Sequence, residues 1–119
     1  MKRVLAVDDT LTFRMMLVGC LKKAGHEVTE AENGKQALER LLADPPDIVI
    51  TDLNMPVMNG LEFIEEARKA PEGRALPMLL LTTEVAEHLK QRAREVGATG
   101  WLTKPFDPAQ ILRLVDQLA

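Results

Sequence analysis

Six polar residues directly follow, or end, apolar runs of the chain. Two acids follow the first run, a third acid follows "IVIT", two threonines end "LPMLLLTT" and a lysine follows "GWLT". They are Asp8, Asp9, Asp52, Thr82, Thr83 and Lys104. A carboxylate buried at the end of an apolar strand destabilises the fold by several kcal/mol unless a partner compensates its charge. Asp52 therefore needs a partner, and the other five residues include candidates.

If these groups lie together, they are suited to bind a metal ion and to accept a phosphoryl group. Three neighbouring carboxylates repel one another and stay ionised together only beside a cation. Oxygen ligands select a hard ion, and a small set with open positions suits Mg²⁺, which keeps waters and binds phosphate oxygens. A carboxylate can also attack phosphorus and become an aspartyl phosphate. We therefore predict that Asp52 is a metal-held nucleophile, with Lys104 as its cationic partner and Thr82 as a hydrogen-bond donor to the phosphoryl group.

The elements that must position these residues alternate between strands and helices. The apolar and periodic segments predict strands over 3–7, 26–32, 47–51, 76–83 and 99–103, and helices over 12–24, 33–43, 59–70, 84–96 and 107–119. Five βα units with near-continuous apolar strands predict an α/β fold in which helices cover both faces of a parallel sheet. The carboxyl ends of its strands share one edge, where such sheets bind ligands.

Composition excludes several classes of protein. The 119 residues suffice for one domain with a single core, and 46% of them are hydrophobic. The net charge of -3 and the absence of a basic block argue against nucleic-acid binding. The apolar runs are too short to span a bilayer, so no membrane association is expected. One cysteine, Cys20, allows no internal disulfide and fits the cytoplasm.

Each site residue also has a plain structural interpretation. Asp8 and Asp9 would, singly, be helix-capping acids after a strand. Asp52 alone could be a turn residue, and Lys104 alone would be a solvated side chain. Their joint placement at the ends of several strands of one sheet favours the functional interpretation. Cys20, Met15 and Met16 are interpreted as core or edge residues of the first helix.

Over its whole length the chain resembles the receiver domain of bacterial two-component response regulators. The resemblance is carried together by "VDD" (7–9), "DLNMPVMNG" (52–60), "LTT" (81–83) and "TKPFD" (103–107). It implies a single receiver domain over 1–119 with a flavodoxin-like (βα)5 three-layer sandwich. The five-stranded parallel sheet would have the order 2-1-3-4-5, which the resemblance supplies and periodicity does not.

The resemblance also implies roles at the site. Asp52 would accept a phosphoryl group from a phosphohistidine of a sensor kinase. Mg²⁺ would be bound by Asp9, Asp52 and the backbone carbonyl of Asn54, with Asp8 helping through water. Apart from this phosphoryl acceptance and its own dephosphorylation, such a protein is not an enzyme.

A second group of residues would carry the signal. The resemblance makes Thr82 the switch hydroxyl, with Thr83 beside it, and Lys104 the amine that contacts phosphate. The bond between Lys104 and Pro105 is expected to be cis. Trp101 falls where the family has its aromatic switch, more usually Tyr or Phe.

The stretches "LLLTTE" (79–84) and "GATGWLTKPFDP" (97–108) resemble the chemotaxis, CheY-like type most. This implies a monomer that receives phosphate from a CheA-like kinase. Its output partner, the flagellar motor switch, would bind through the fourth helix, fifth strand and fifth helix. The alternative is a phosphorelay intermediate that passes phosphate to a histidine phosphotransfer protein.

Two proteins of other classes share parts of the pattern. A haloacid-dehalogenase-like phosphatase also uses an aspartate nucleophile and Mg²⁺, but it needs a second acid where this chain has Asn54. A flavodoxin-like carrier of FMN needs a hydroxyl-rich loop after the first strand and aromatic residues to stack on the flavin. That loop is acidic here and aromatic residues make up 3% of the chain, so both alternatives are disfavoured.

Overall fold

A computed structural model of the protein describes all 119 residues. The strands are β1 (Arg3–Val7), β2 (Glu27–Ala31), β3 (Ile48–Thr51), β4 (Met78–Thr82) and β5 (Gly100–Thr103). The helices are α1 (Leu11–Lys23), α2 (Gly34–Ala43), α3 (Gly60–Lys69), α4 (Glu87–Val96) and α5 (Pro108–Leu118). None of them has both the length and the apolar character that a membrane crossing requires. The strands pair in parallel in the order β2-β1-β3-β4-β5, which confirms the predicted α/β, flavodoxin-like fold.

Two apolar clusters hold the three layers together. Alternate side chains of one strand enter opposite clusters, so Leu5 packs toward α2, α3 and α4 while Val4 packs toward α1 and α5. β3 and β4 are buried along their whole length, and β1 nearly so, because helices cover both of their faces. β2 and β5 lie at the two edges and are more exposed, which explains their mixed sequences.

The register of the sheet places the site. Val7 pairs with Thr51, and Thr82 pairs with Thr103, so β1 and β3 end together and so do β4 and β5. The residues that follow these strands therefore emerge at the same edge of the sheet.

The helix ends follow the predicted signals, with one exception. Asn59 and Glu62 form a complete capping box at the start of α3, and Gly97 ends α4 with a φ of 95°. α4 begins at Glu87 rather than at the predicted Glu84. The backbone N–H of Glu84 donates to the hydroxyl of Thr82 at 3.3 Å instead of entering a helical turn. The N-cap position that remains, Ala86, has no side-chain acceptor.

The buried face of α1 differs from the predicted one. Of the residues predicted to be core or edge, Cys20 is half-buried, whereas Met15 and Met16 are 62% and 59% exposed and lie outside the core. Arg14 is 7% exposed, because β2 and the β1–α1 loop offer it oxygen partners. The helix has apolar residues on more than one side, so spacing alone could not identify the packed face.

Candidate functional site

Three carboxylates meet at the carboxyl edge of the sheet. One oxygen from each of Asp8, Asp9 and Asp52 lies within 4.8 Å of the others. Asp8 and Asp52 are buried, whereas Asp9 is exposed. The cluster is thus closed on the side of the sheet and open toward solvent at Asp9.

The ammonium of Lys104 joins the two buried acids. Its Nζ lies 2.9 Å from Asp8 Oδ2 and 3.2 Å from Asp52 Oδ2. It also lies 4.0 Å above the ring centroid of Phe13, whose ring meets that of Phe106 edge-to-face at 5.5 Å. The aromatic pair shields the ammonium from solvent and adds a cation–π attraction. Lys104 therefore partners Asp52, as predicted, and in addition holds Asp8.

The pKa values of the site reflect burial and crowding. Burial raises the pKa of Asp52, and the charge of Asp8 raises it further, against the opposing effects of the Leu53 N–H and of Lys104. Burial alone would lower the pKa of Lys104, but its hydrogen bonds and charge interactions with Asp8 and Asp52 reverse the direction and raise it. One ammonium thus stabilises two carboxylates without fully compensating both.

The backbone around Asp52 is tightly fixed. Its N–H donates to the carbonyl of Val7 at 2.8 Å, and its Oδ1 accepts the N–H of Leu53 at 2.7 Å. A side chain at Gly60 would place Cβ 2.2 Å from the carbonyl oxygen of Asp52, so only glycine allows α3 to begin this close. The loop then carries Val57 with a φ of 71°, an uncommon conformation for a β-branched residue.

The polar residues at the end of β4 divide into buried and exposed ones. Thr82 is fully buried, and its carbonyl accepts the backbone N–H of Lys104 at 2.9 Å. Thr83 is exposed and makes no side-chain hydrogen bond. The side-chain amide of Asn54 donates to Glu84 Oε1 at 3.0 Å, which links the loops after β3 and β4.

Trp101 lies on β5 opposite Leu80 and packs against the apolar cluster under α4. Its indole Nε1 is buried and has no acceptor within the protein. The Lys104–Pro105 peptide bond is cis, the geometry that the resemblance implied.

The sequence interpretation missed four residues that shape the site. Phe13 and Phe106 enclose the ammonium of Lys104, Arg14 binds the backbone of Asp8, and Glu84 accepts from Asn54. Phe13 and Arg14 lie on the first turn of the helix after Asp9, which is the only local signal of their proximity.

Comparisons with known proteins agree with this geometry. The model of the response regulator receiver domain matches residues 4–116. The chain belongs to the response regulator receiver family. This receiver is similar to chemotaxis protein CheY of Thermotoga maritima, with 35% identity over 99% of the chain and 98% of the relative. It is also similar to protein PilH of Pseudomonas aeruginosa, with 35% identity over 98% of the chain and 96% of the relative.

Solved structures of receivers superpose closely on this one. Chemotaxis protein CheY4 of Vibrio cholerae gives a TM-score of 0.93 at 42% identity, covering 100% of this chain and 99% of its own. The receiver domain of a sensor histidine kinase from Pseudomonas aeruginosa gives 0.92 at 25% identity, covering 98% and 96%. That structure has a magnesium ion coordinated in its active site cleft.

The acidic cluster of this receiver fits a Mg²⁺ site. It offers three carboxylate oxygens within 4.8 Å of one another and no sulfur or imidazole ligand. Such an all-oxygen set selects a hard divalent ion, and the exposed Asp9 leaves room for the waters that Mg²⁺ retains. Burial and the charge of Asp8 raise the pKa of Asp52 despite Lys104, so a further cation beside the cluster would favour its ionised form.

Proposed function

We propose that this receiver accepts a phosphoryl group on Asp52 from a phosphohistidine of a sensor histidine kinase, with Mg²⁺ as cofactor. The observation that carries the proposal is the cluster of Asp8, Asp9 and Asp52 with the Lys104 ammonium between the two buried acids. A structural ion pair would need one carboxylate. Two carboxylates on one ammonium, with a third carboxylate beside them, suit a site that recruits further positive charge and then phosphate.

In the transfer, a carboxylate oxygen of Asp52 attacks phosphorus. The new O–P bond forms as the P–N bond to the kinase imidazole breaks, and the ring nitrogen keeps the electron pair. The contacts of Asp52 to Val7 and Leu53 hold the nucleophile in one orientation, which such a transfer requires. Lys104 already touches Asp52 and would follow the phosphoryl oxygens as a point charge.

Asp8, Asp9, Asp52 and the backbone carbonyl of Asn54 would hold the Mg²⁺. When bound, the ion supplies positive charge against the negative charge of the phosphoryl oxygens. Lys104 Nζ lies 2.9 Å from Asp8 Oδ2 and 3.2 Å from Asp52 Oδ2, so it already holds these two ligands close together.

Intact-mass spectrometry after incubation with acetyl phosphate and Mg²⁺ tests the acceptor. Wild type should gain one phosphoryl group, and Asp52→Asn should gain none, because the amide has no nucleophilic charge. Asp116→Asn, which changes an exposed acid on α5, is the matched control and should be labelled like wild type. Full labelling of Asp52→Asn would falsify the assignment.

We further propose that phosphorylation alters the surface formed by α4, β5 and α5. Lys104 donates its N–H to the carbonyl of Thr82, and Trp101 lies on the strand beside β4, so a shift of Thr82 toward a phosphoryl oxygen reaches both. Thr83 lies on the same loop.

Beryllofluoride with Mg²⁺ should change the Trp101 emission and its acrylamide quenching, and Thr82→Ala should blunt that change. Unchanged emission in saturating beryllofluoride would mean that Trp101 is static.

For the pathway we propose chemotaxis, with a CheA-like kinase as donor and the flagellar motor switch as target. The support is the full-length similarity to proteins named as chemotaxis CheY, at 35% and 42% identity. Phosphorylation-dependent binding to a motor switch protein is the expected result. Transfer of the phosphate to a histidine phosphotransfer protein, without such binding, would instead assign a phosphorelay intermediate.

We propose that the protein is cytoplasmic and monomeric, and that it acts by binding partners without turning over substrates. Asn54 stands where a phosphatase of the haloacid-dehalogenase type needs its second acid. Incubation with small phosphate esters should therefore release no phosphate catalytically. Size-exclusion chromatography with light scattering should give the mass of one chain.

A further inference from the structure

Arg14 makes an unusual set of contacts for a helix residue. Its side chain is 9% exposed, and its Nε donates to Glu30 Oε1 on β2 at 2.9 Å. Its Nη1 donates to the backbone carbonyl of Asp8 at 2.6 Å. A guanidinium buried this deeply is stable only when its donors are used, and here one partner is a carboxylate and the other is the backbone of a site residue.

We infer that Arg14 is a positioning residue for the metal site, with Glu30 as its anchor. The inference rests on the proposed Mg²⁺ function and deepens it. Arg14 touches none of the three carboxylates. It acts through the peptide group that joins Asp8 to Asp9.

The two acids of that peptide group are held very differently. The Asp8 N–H donates to the carbonyl of Ala31, Asp8 Oδ1 accepts from the Thr10 N–H, and Asp8 Oδ2 accepts from Lys104. The carboxylate of Asp9 makes no hydrogen bond to the protein. The position of Asp9 is therefore set by its backbone, and the peptide plane before it is the one whose oxygen Arg14 binds.

The direction in which Mg²⁺ affinity changes when Arg14 is replaced distinguishes a positioning role from a purely electrostatic one. A nearby cation opposes the binding of a divalent cation, so loss of the Arg14 charge alone would tighten Mg²⁺ binding. Loss of a positioning contact would weaken it, and outer contacts of this kind are typically worth about tenfold or more in metal affinity. The two accounts predict changes in opposite directions.

Calorimetric titration of the full-length protein with MgCl₂ is the test. Arg14→Met should bind Mg²⁺ about tenfold more weakly than wild type. Arg14→Lys keeps the charge, but its single ammonium cannot span Asp8 and Glu30. Its Mg²⁺ affinity should therefore lie between those of wild type and Arg14→Met. Glu30→Asp keeps the negative charge but withdraws the carboxylate from Arg14 by one methylene, so it should also weaken binding; it remains informative if Arg14→Met does not fold.

Two control variants isolate the effect. Arg40→Met removes an exposed cation that lines the same surface cleft as Arg14 and Glu30, so it measures the charge effect alone and should not weaken binding. Val18→Ala removes buried α1 packing without altering the contacts of Arg14 to Asp8 and Glu30, and should lower thermal stability while leaving Mg²⁺ affinity unchanged. Equal losses of affinity in Val18→Ala and Arg14→Met would show that Arg14 is merely structural and would overturn the inference.

A kinetic measurement adds a second readout. At saturating Mg²⁺, labelling of Arg14→Met by acetyl phosphate should return to near the wild-type rate, because Asp52 and Lys104 are unaltered. Unchanged or tighter Mg²⁺ binding in Arg14→Met would refute the positioning role. If wild type itself binds no Mg²⁺, the proposed function fails instead, so the two failures are distinguishable.

Discussion

Asp52 and Thr82 stand at the ends of neighbouring strands, but the loops that follow them are built differently. The β3–α3 loop is fixed at both ends: Gly60 donates to Leu53 at 2.8 Å, and the capping box of Asn59 closes the start of α3. The β4–α4 loop leads to an uncapped helix and exposes Val85 at 64%. The residue that would receive phosphate is thus held still, whereas the residue that would respond lies beside a loop with few constraints.

The close packing behind Asp52 gives the largest expected effect. Gly60→Ala should destabilise the fold by about 3 kcal/mol or more, because its Cβ would lie 2.2 Å from the Asp52 carbonyl oxygen and the backbone must move. Gly19→Ala is the control, since a Cβ there meets nothing within 4 Å, and alanine in a helix gains up to about 1 kcal/mol. Urea denaturation measures both. Equal stability of Gly60→Ala and wild type would show that the β3–α3 loop is adjustable.

The charge of Asp52 makes the fixed loop sensitive to pH. Its pKa is raised in the folded state by burial and by Asp8, so the native protein binds the proton more tightly than the unfolded chain does. The resulting stabilisation is present at low pH and is lost as the pH rises from the ordinary value of 3.8 through the raised one. Asp52→Asn cannot ionise, so in EDTA it should melt a few degrees above wild type at neutral pH. A difference that grows as the pH falls would contradict this sign.

The capping box at the end of the β3–α3 loop can be removed by a single substitution. Asn59→Ala should cost about 1 kcal/mol, because the N–H of Glu62 loses its acceptor at 2.9 Å. It should also raise hydrogen exchange in the first turn of α3. If Asn59→Ala lowers the free energy of unfolding no more than a substitution of an exposed residue such as Glu72→Ala does, the cap does not stabilise the loop.

A helix cap can be added at the end of the β4–α4 loop. Ala86→Ser should stabilise the protein by about 0.5 kcal/mol, because α4 gains the side-chain acceptor that its first turn lacks. If the freedom of this loop serves the switch, the same variant should reduce the response of Trp101 to beryllofluoride. An undiminished response in a measurably stabilised variant would separate the loop from the signal.

Sequence reasoning succeeded where local rules decide the outcome. The strand–helix alternation and the α3 capping box depend on residues close together in the chain, and the convergence of Asp8, Asp52 and Lys104 follows from a parallel sheet. The order of the strands required the family resemblance, because alternation alone allows several orders.

Tertiary contacts decided the features that were missed. The burial of Arg14 depends on Glu30, which lies 16 positions away on another element. The late start of α4 depends on a hydrogen bond between Glu84 and Thr82 that competes with the helix. The positive φ of Val57 has no signal in its residue type, which ordinarily avoids that region.

The indole of Trp101 has a spectroscopic consequence. The chain has one tryptophan, so its Nε1–H gives a single proton–nitrogen resonance, well separated from the backbone amides. That proton is buried and has no acceptor, which places the resonance upfield of a hydrogen-bonded indole. Any event that brings an oxygen to it would shift the peak downfield. In nitrogen-15-enriched protein, the indole is therefore a single-site probe where β5 packs under α4, readable without a dye or a chemical tag.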